Sequence, residues 1–104
     1  MRLKISEQFS VTPGARYRSD GPFSGQEFFE DSLKPMFLEA QAANEILKVD
    51  LDGTEGYATS FLDEAFGRLA TEFGSEKAWK GITLVSNDEP DWIEEIKSYI
   101  FEKR

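Results

Sequence analysis

The chain contains no cysteine and no histidine. The first absence removes disulfide frameworks, thiolate nucleophiles and cysteine-ligated zinc; the second removes the commonest general base and metal ligand. Positive charge is scarce as well. Twelve Lys and Arg stand against 20 Asp and Glu, a net charge of −8, and such a field repels phosphate backbones and anionic lipid, which disfavours nucleic acid and membranes as partners. No apolar run reaches the roughly 20 residues that a spanning helix needs, and Met1 to Ser10 lacks the apolar stretch of a signal peptide, so a cytoplasmic location is expected. Repeats, low-complexity tracts and linkers are also missing. What survives is carboxylate, lysine, tyrosine or hydroxyl chemistry without a cofactor, or a protein whose work is binding.

The 104 residues suit one domain spanning 1–104, and nine Phe with two Trp supply large side chains for a core. Leu3 and Ile5 alternate with Arg2, Lys4 and Ser6, which predicts a strand over 3–9; Thr12-Pro13-Gly14 would turn it into a second strand over 15–19, forming a hairpin. Ser24 with Glu27 is a capping-box pattern, and Phe29, Leu33, Phe37 and Ala40 share one helical face up to about residue 43, with a kink or a break expected near Lys34 because Pro35 removes a donor. Leu47, Val49 and Leu51 alternate with Lys48, Asp50 and Asp52 in the most strand-like segment. Ser60 with Asp63 repeats the capping signal before Leu62, Phe66, Leu69 and Phe73, and Gly74 stops that helix. A short strand over 82–86 and a last helix carrying Trp92, Ile93, Ile96, Tyr99 and Ile100 complete the order. The expected fold class is α/β: a mixed, mostly parallel sheet of about four strands with three main helices. Its expected core is Leu47, Val49, Leu51, Leu62, Phe66, Leu69, Phe73, Leu84, Ile93 and Ile96.

Asp50-Leu51-Asp52-Gly53-Thr54, directly after a strand, resembles the first motif of haloacid-dehalogenase-type phosphatases. That resemblance implies Asp50 as the attacking carboxylate, Asp52 as acid/base, and Mg²⁺ on the phosphate. The strand ending at Ser86 resembles the second motif, and Lys97 could stand as the cation. Only Glu102 follows Lys97 to supply a metal ligand, so the acidic pair such enzymes need there is incomplete, and two aspartates at a strand end also serve as turn formers.

Arg16 and Arg18 precede Gly21 and Ser24 at a helix start, where amide donors and guanidinium groups can hold an anion. The simpler roles are Gly21 and Gly25 in turns, Ser24 as a cap, and the arginines paired with acids.

VDLDGTEGYATSFLDEAFGRL, with the upstream PGARYRSDGPFSG and the helix after it, resembles a family of short bacterial STAS-like domains across nearly the whole chain. The family's biochemical function is unassigned; its wider relatives are the anti-sigma factor antagonists. The resemblance implies a STAS-like domain that docks a protein partner, a histidine-kinase-like ATPase being the type its relatives bind. It places the antagonists' switch hydroxyl at Thr59 or Ser60, where their Asp-Ser-Ser-Gly pattern reads Ala58-Thr59-Ser60-Phe61. Ser60 also reads as an N-cap for the helix that follows. The loop from Gly53 to Ser60 and the following helix are the expected docking surface, with Glu55, Gly56, Tyr57, Asp63, Glu64 and Arg68 as contacts. A glycine-bearing loop displays its residues, Tyr57 is an aromatic anchor of the kind common in interface hot spots, and the acids would steer a basic patch.

Overall fold

The alternation that marks 46–51 as a strand lies at the centre of the sheet in the computed structural model, which describes residues 1–102. Strand β2 (Leu47–Asp50) is flanked by β1 (Arg2–Lys4) and β3 (Ile82–Val85), and both pairings are parallel, with Leu3 opposite Val49 and Val49 opposite Leu84. In the order 1-2-3, crossovers of one hand, right-handed by the general rule for parallel strands, carry the connecting helices on one face of the sheet. Burial agrees: Leu3, Leu47, Val49 and Ile82 face the core, whereas Arg2, Lys48 and Thr83 are exposed.

Among the described residues three strands replace the roughly four expected, the sheet is wholly parallel, and no hairpin forms. Beyond Lys4 the chain turns into a short helix, α1 (Ile5–Gln8). Ile5 and Phe9 are spaced i, i+4 as well as lying in an alternating stretch, and the helical spacing wins because it buries Ile5 completely. The Lys4 amide donates to the Gln8 Oε1 at 2.7 Å, which occupies β1's outer edge. Residues 15–19 form no strand because their carbonyls go elsewhere: Ala15 and Arg16 accept the amides of Gly25 and Gln26, two donors that a helix N-terminus leaves unpaired. Only a turn of 3₁₀ helix (Arg18–Asp20) follows.

Helix α2 (Gly25–Phe28) opens with Ser24 accepting the Glu27 amide at 3.0 Å, the cap its sequence announces. It runs through a π-helical stretch (Phe29–Leu33) into α3 (Lys34–Ala42). The Lys34 amide reaches back five residues to Phe29, so the widened turn ends beside Pro35, which has no donor to give. The junction predicted near Lys34 is therefore a π-stretch within continuous helix.

A second long helix has the same construction: α4 (Thr59–Leu62), a π-stretch (Asp63–Gly67) and α5 (Arg68–Phe73). Gly74, at φ 88°, ends it and starts α6 (Ser75–Lys80), a six-residue helix that periodicity did not reveal. Helix α7 (Asp91–Phe101) packs over these helices. Joined segments counted together, five α-type helices lie among the described residues, the three main ones expected plus α1 and α6.

The core is dominated by Phe28, Phe29, Phe37, Phe61 and Phe66, all fully buried. Phe73 and Leu84 from the expected core are only half-buried at its edge, as is Ile93. Gly25 has no turn to make; it lies where two helices meet, and a Cβ there would fall 2.6 Å from the Phe61 carbonyl oxygen.

Candidate functional site

Parallel strands deliver their carboxyl ends to one edge of the sheet, where loops can be combined into a site. At that edge Asp50, only 8% exposed, faces the Arg2 guanidinium at 3.2 Å and the Lys4 ammonium at 3.8 Å. Its other oxygen accepts the Asp52 amide at 3.0 Å, which starts the loop. Asp52 then binds the β3–α7 loop. One oxygen accepts the amides of Asn87 (2.7 Å) and Asp88 (2.9 Å), and the other accepts the Asn87 side-chain amide (2.9 Å). The Asp88 amide, followed by the Asn87 donors, holds the Asp52 carboxyl below the usual aspartate range. Asp88 returns the contact by accepting the Gly53 amide at 2.9 Å.

The loop from 51 to 58 is fixed at three further points. Gly53 (φ 92°) and Gly56 (φ 133°) take backbone angles that side chains disfavour. The Glu55 amide donates to the Val11 carbonyl. The Tyr57 hydroxyl donates to the Leu51 carbonyl at 2.8 Å, while its ring stands edge-on to Trp92 (4.7 Å) and tilted against Phe61 (5.7 Å). Burial pushes the Tyr57 phenol far above its ordinary value. The aromatic predicted as an outward anchor thus faces inward for most of its surface.

The remaining predicted contacts divide in two. Glu55 is exposed and Gly56 borders it. Asp63, Glu64 and Arg68 belong to an ion network on the second helix: Arg16 bridges Asp63 (2.9 Å) and Glu64 (3.8 Å), and Arg68 lies 3.4 Å from both Glu64 and Glu30. The hydrogen bond it donates to Asp63 is the chief reason the Arg16 guanidinium holds its proton more tightly than usual.

Of the two candidate switch hydroxyls, Thr59 is exposed in the first turn of α4 and is hydrogen-bonded to the Tyr99 phenol, which burial pushes upward. Ser60 is half-buried. It does not cap the helix: Ala58 occupies the N-cap position and no side chain accepts the first amides. The expected Ser60 to Asp63 cap fails because the helix starts two residues earlier than a Ser60 cap requires and Asp63 is drawn to Arg16.

Arg16 and Arg18, the arginines of the candidate anion site, do not converge. Arg18 binds Glu30 (3.1 Å) and Asp31 (3.0 Å), and Arg18 leads the groups that hold the Glu30 carboxyl below its usual range. Ser24 is engaged as a cap, and Gly21 (φ 145°) closes the 3₁₀ turn. The phosphatase-like residues are likewise dispersed: the Lys97 ammonium sits 5.6 Å over the Trp79 ring, and Glu102 follows the end of α7. No group of three acidic side chains among the described residues is placed to hold a metal ion.

Asn87 and Asp88 carry only the turn-forming composition of a loop after a strand as a local signal for these contacts, since their partner Asp52 lies 35 and 36 residues away. Arg16 pairs with acids, as the simpler reading of the arginines expects, although nothing local names Asp63, 47 residues away, as the partner.

No described helix is long and apolar enough to cross a membrane. Residues 24–92 match the model of a family described as a STAS-like domain of unknown function. No curated protein and no solved structure matches the chain.

Proposed function

Because the chain belongs to the family of STAS-like domains of unknown function, we propose that it is a non-enzymatic interaction module in bacterial signalling or regulation. In this reading it docks on a histidine-kinase-like ATPase, as the anti-sigma factor antagonists do. The observation that carries the reading is the β2–α4 loop. It is held by Asp52, Tyr57 and the Glu55 amide, so that Glu55, Ala58 and Thr59 are presented outward without freedom to lose on binding. The exposed Thr59, at the start of a long helix, is the better placed of the two hydroxyls for phosphorylation. A charge of about −1.5 to −2 there would gain from the helix N-terminus but meet Asp63 and Glu64 one turn on, and that repulsion would disturb the docking face.

The test is a calorimetric titration against a histidine-kinase-like ATPase domain encoded beside this chain, comparing wild type with Glu55→Lys, Thr59→Glu and Ser60→Glu. Glu55→Lys and Thr59→Glu should each weaken binding at least tenfold while circular dichroism stays unchanged. Equal affinity in all three variants would place the interface elsewhere, and absence of binding by the wild type would overturn the partner class.

A further inference from the structure

At the opposite, amino end of the sheet lies a cleft of about 340 Å³ that the docking loop does not touch. Its walls are the end of α3 with the turn after it (Gln41, Asn44, Glu45) and the end of α6 (Lys77, Lys80, Gly81), and Ile46 stands between them. Ile46 is 56% exposed, the highest value among the exposed large apolar side chains. It directly precedes β2, whose next residue, Leu47, is fully buried, so exposing Ile46 costs the fold apolar burial it could have used.

The polar groups around Ile46 are mostly donors. Lys77 and Lys80 sit three residues apart, on one face of α6. Lys77 has no carboxylate partner among the described residues and lies 5.9 Å from the Phe73 ring. Lys80 has only an exposed contact with Glu76 at 3.6 Å, worth little in water. Gln41 and Asn44 add side-chain amides. The cleft's one carboxylate, Glu45, is engaged by the Met1 ammonium at 3.2 Å. In a chain of net charge −8, this is a locally cationic site with an apolar centre.

We propose that this cleft docks a short acidic segment of a partner protein, with carboxylates on Lys77 and Lys80 and an apolar side chain against Ile46. The cleft is open and at the small end for ligand sites, which suits two or three side chains of a peptide. The overall acidity of the chain disfavours a polyanion such as nucleic acid and leaves isolated carboxylates beside an apolar group as the complementary chemistry. Strand β2 begins just after Ile46 at this cleft and ends with Asp50 at the opposite edge, so the domain offers two separate surfaces.

The experiment is a titration of the full chain, labelled with ¹⁵N, with an acetylated, amidated peptide of sequence Asp-Glu-Ile-Glu-Asp and with its Asn-Gln-Ile-Gln-Asn counterpart. The acidic peptide should shift the amides of Gln41, Asn44, Ile46, Lys77, Lys80 and Gly81 with a Kd below about 1 mM. Lys77→Glu with Lys80→Glu should weaken it at least tenfold, and Ile46→Ser at least threefold, while the spectra remain those of a folded chain. The neutral peptide should bind at least tenfold more weakly. Shifts confined to the 53–60 loop, equal affinity for the two peptides, or unchanged affinity in the double variant would overturn the proposal. So would peptide-free shifts at the same amides that grow with protein concentration, which would identify the occupant as a second copy.

Discussion

Asp52 and Asn87 are joined twice: the backbone amide of Asn87 meets one carboxylate oxygen at 2.7 Å and its side-chain amide meets the other at 2.9 Å. This pair ties the loop after β2 to the loop after β3, and the Asp88 amide adds a third bond to the same carboxylate. An aspartate that is one of a candidate catalytic pair in the sequence is, in the fold, the tie between two loops.

Replacing Asp52 by Asn should therefore lower stability by about 1 to 2 kcal/mol, the range of a charge-assisted hydrogen bond discounted for an exposed site. The pH dependence has a definite sign. Asp52's folded pKa lies below its ordinary value of 3.8, so its contribution is present above that value and is lost as pH falls through the lower folded value. Urea midpoints of the wild type should be independent of pH near neutrality, where Asp52→Asn shows its full loss, and should fall below about pH 4, with Asp52→Asn removing part of that acid-side fall. Identical acid profiles for the two proteins would contradict the loop-tie role.

Phe66 is fully buried, with its ring 6.3 Å from that of Phe28. Truncation to Ala should cost about 3 to 5 kcal/mol, a large share of the roughly 5 to 15 kcal/mol that holds a domain folded. Denaturant titration of the variant measures this, and a loss below 1 kcal/mol would mean that the helix face has been misplaced.

Much of this architecture was legible because the decisive signals are local. Ser24 with Glu27 announces a helix that does begin there, Gly74 ends another, and the alternation of Leu47, Val49 and Leu51 marks the central strand. Helices α1 and α6 were missed since four and six residues are too few to show a 3.6 period. The hairpin was wrongly expected because nothing local says that the carbonyls of Ala15 and Arg16 are taken by the amides of Gly25 and Gln26. The same reason hid most of the site. Tyr57 in sequence is an aromatic in a glycine-bearing loop; only the packing of α7 supplies the Trp92 against which it turns inward.

Gly25 provides a check on how the two long helices meet. With a Cβ only 2.6 Å from a backbone oxygen of Phe61, Gly25→Ala cannot be relieved by a side-chain rotation and must push the helices apart. A loss of about 1 to 3 kcal/mol is expected despite alanine's better helix propensity. Unchanged or increased thermal stability would show that the helices separate without cost.

The Asp50 and Asp52 pair makes a prediction about chemistry. Asp50 faces Arg2 and Lys4, both Asp52 oxygens accept hydrogen bonds, and Lys97 sits over Trp79. Purified protein with Mg²⁺ should hydrolyse p-nitrophenyl phosphate no faster than buffer, and Asp50→Asn should not change that rate. A turnover that disappears in Asp50→Asn would establish a phosphatase in place of a binding module.

Tyr57 separates folding from docking. Its hydroxyl is bonded to the Leu51 carbonyl and its ring is wedged between Trp92 and Phe61, so the ring and the hydroxyl have different jobs. Tyr57→Phe removes only the bond, leaves the Leu51 carbonyl short of a donor and should cost about 0.5 to 1.5 kcal/mol. Tyr57→Ala also empties the space between two aromatic rings and should cost about 3 kcal/mol or more, with loss of loop order. If the loop docks a partner through Glu55 and Thr59, Tyr57→Phe should keep affinity within threefold of wild type, and Tyr57→Ala should lose it through the loop's disorder. Amide exchange at 53–58 reads that disorder independently of any partner. A Tyr57→Phe variant that stays fully ordered yet loses binding tenfold would instead make the hydroxyl itself a contact, and would place the interface over Tyr57 rather than beside it.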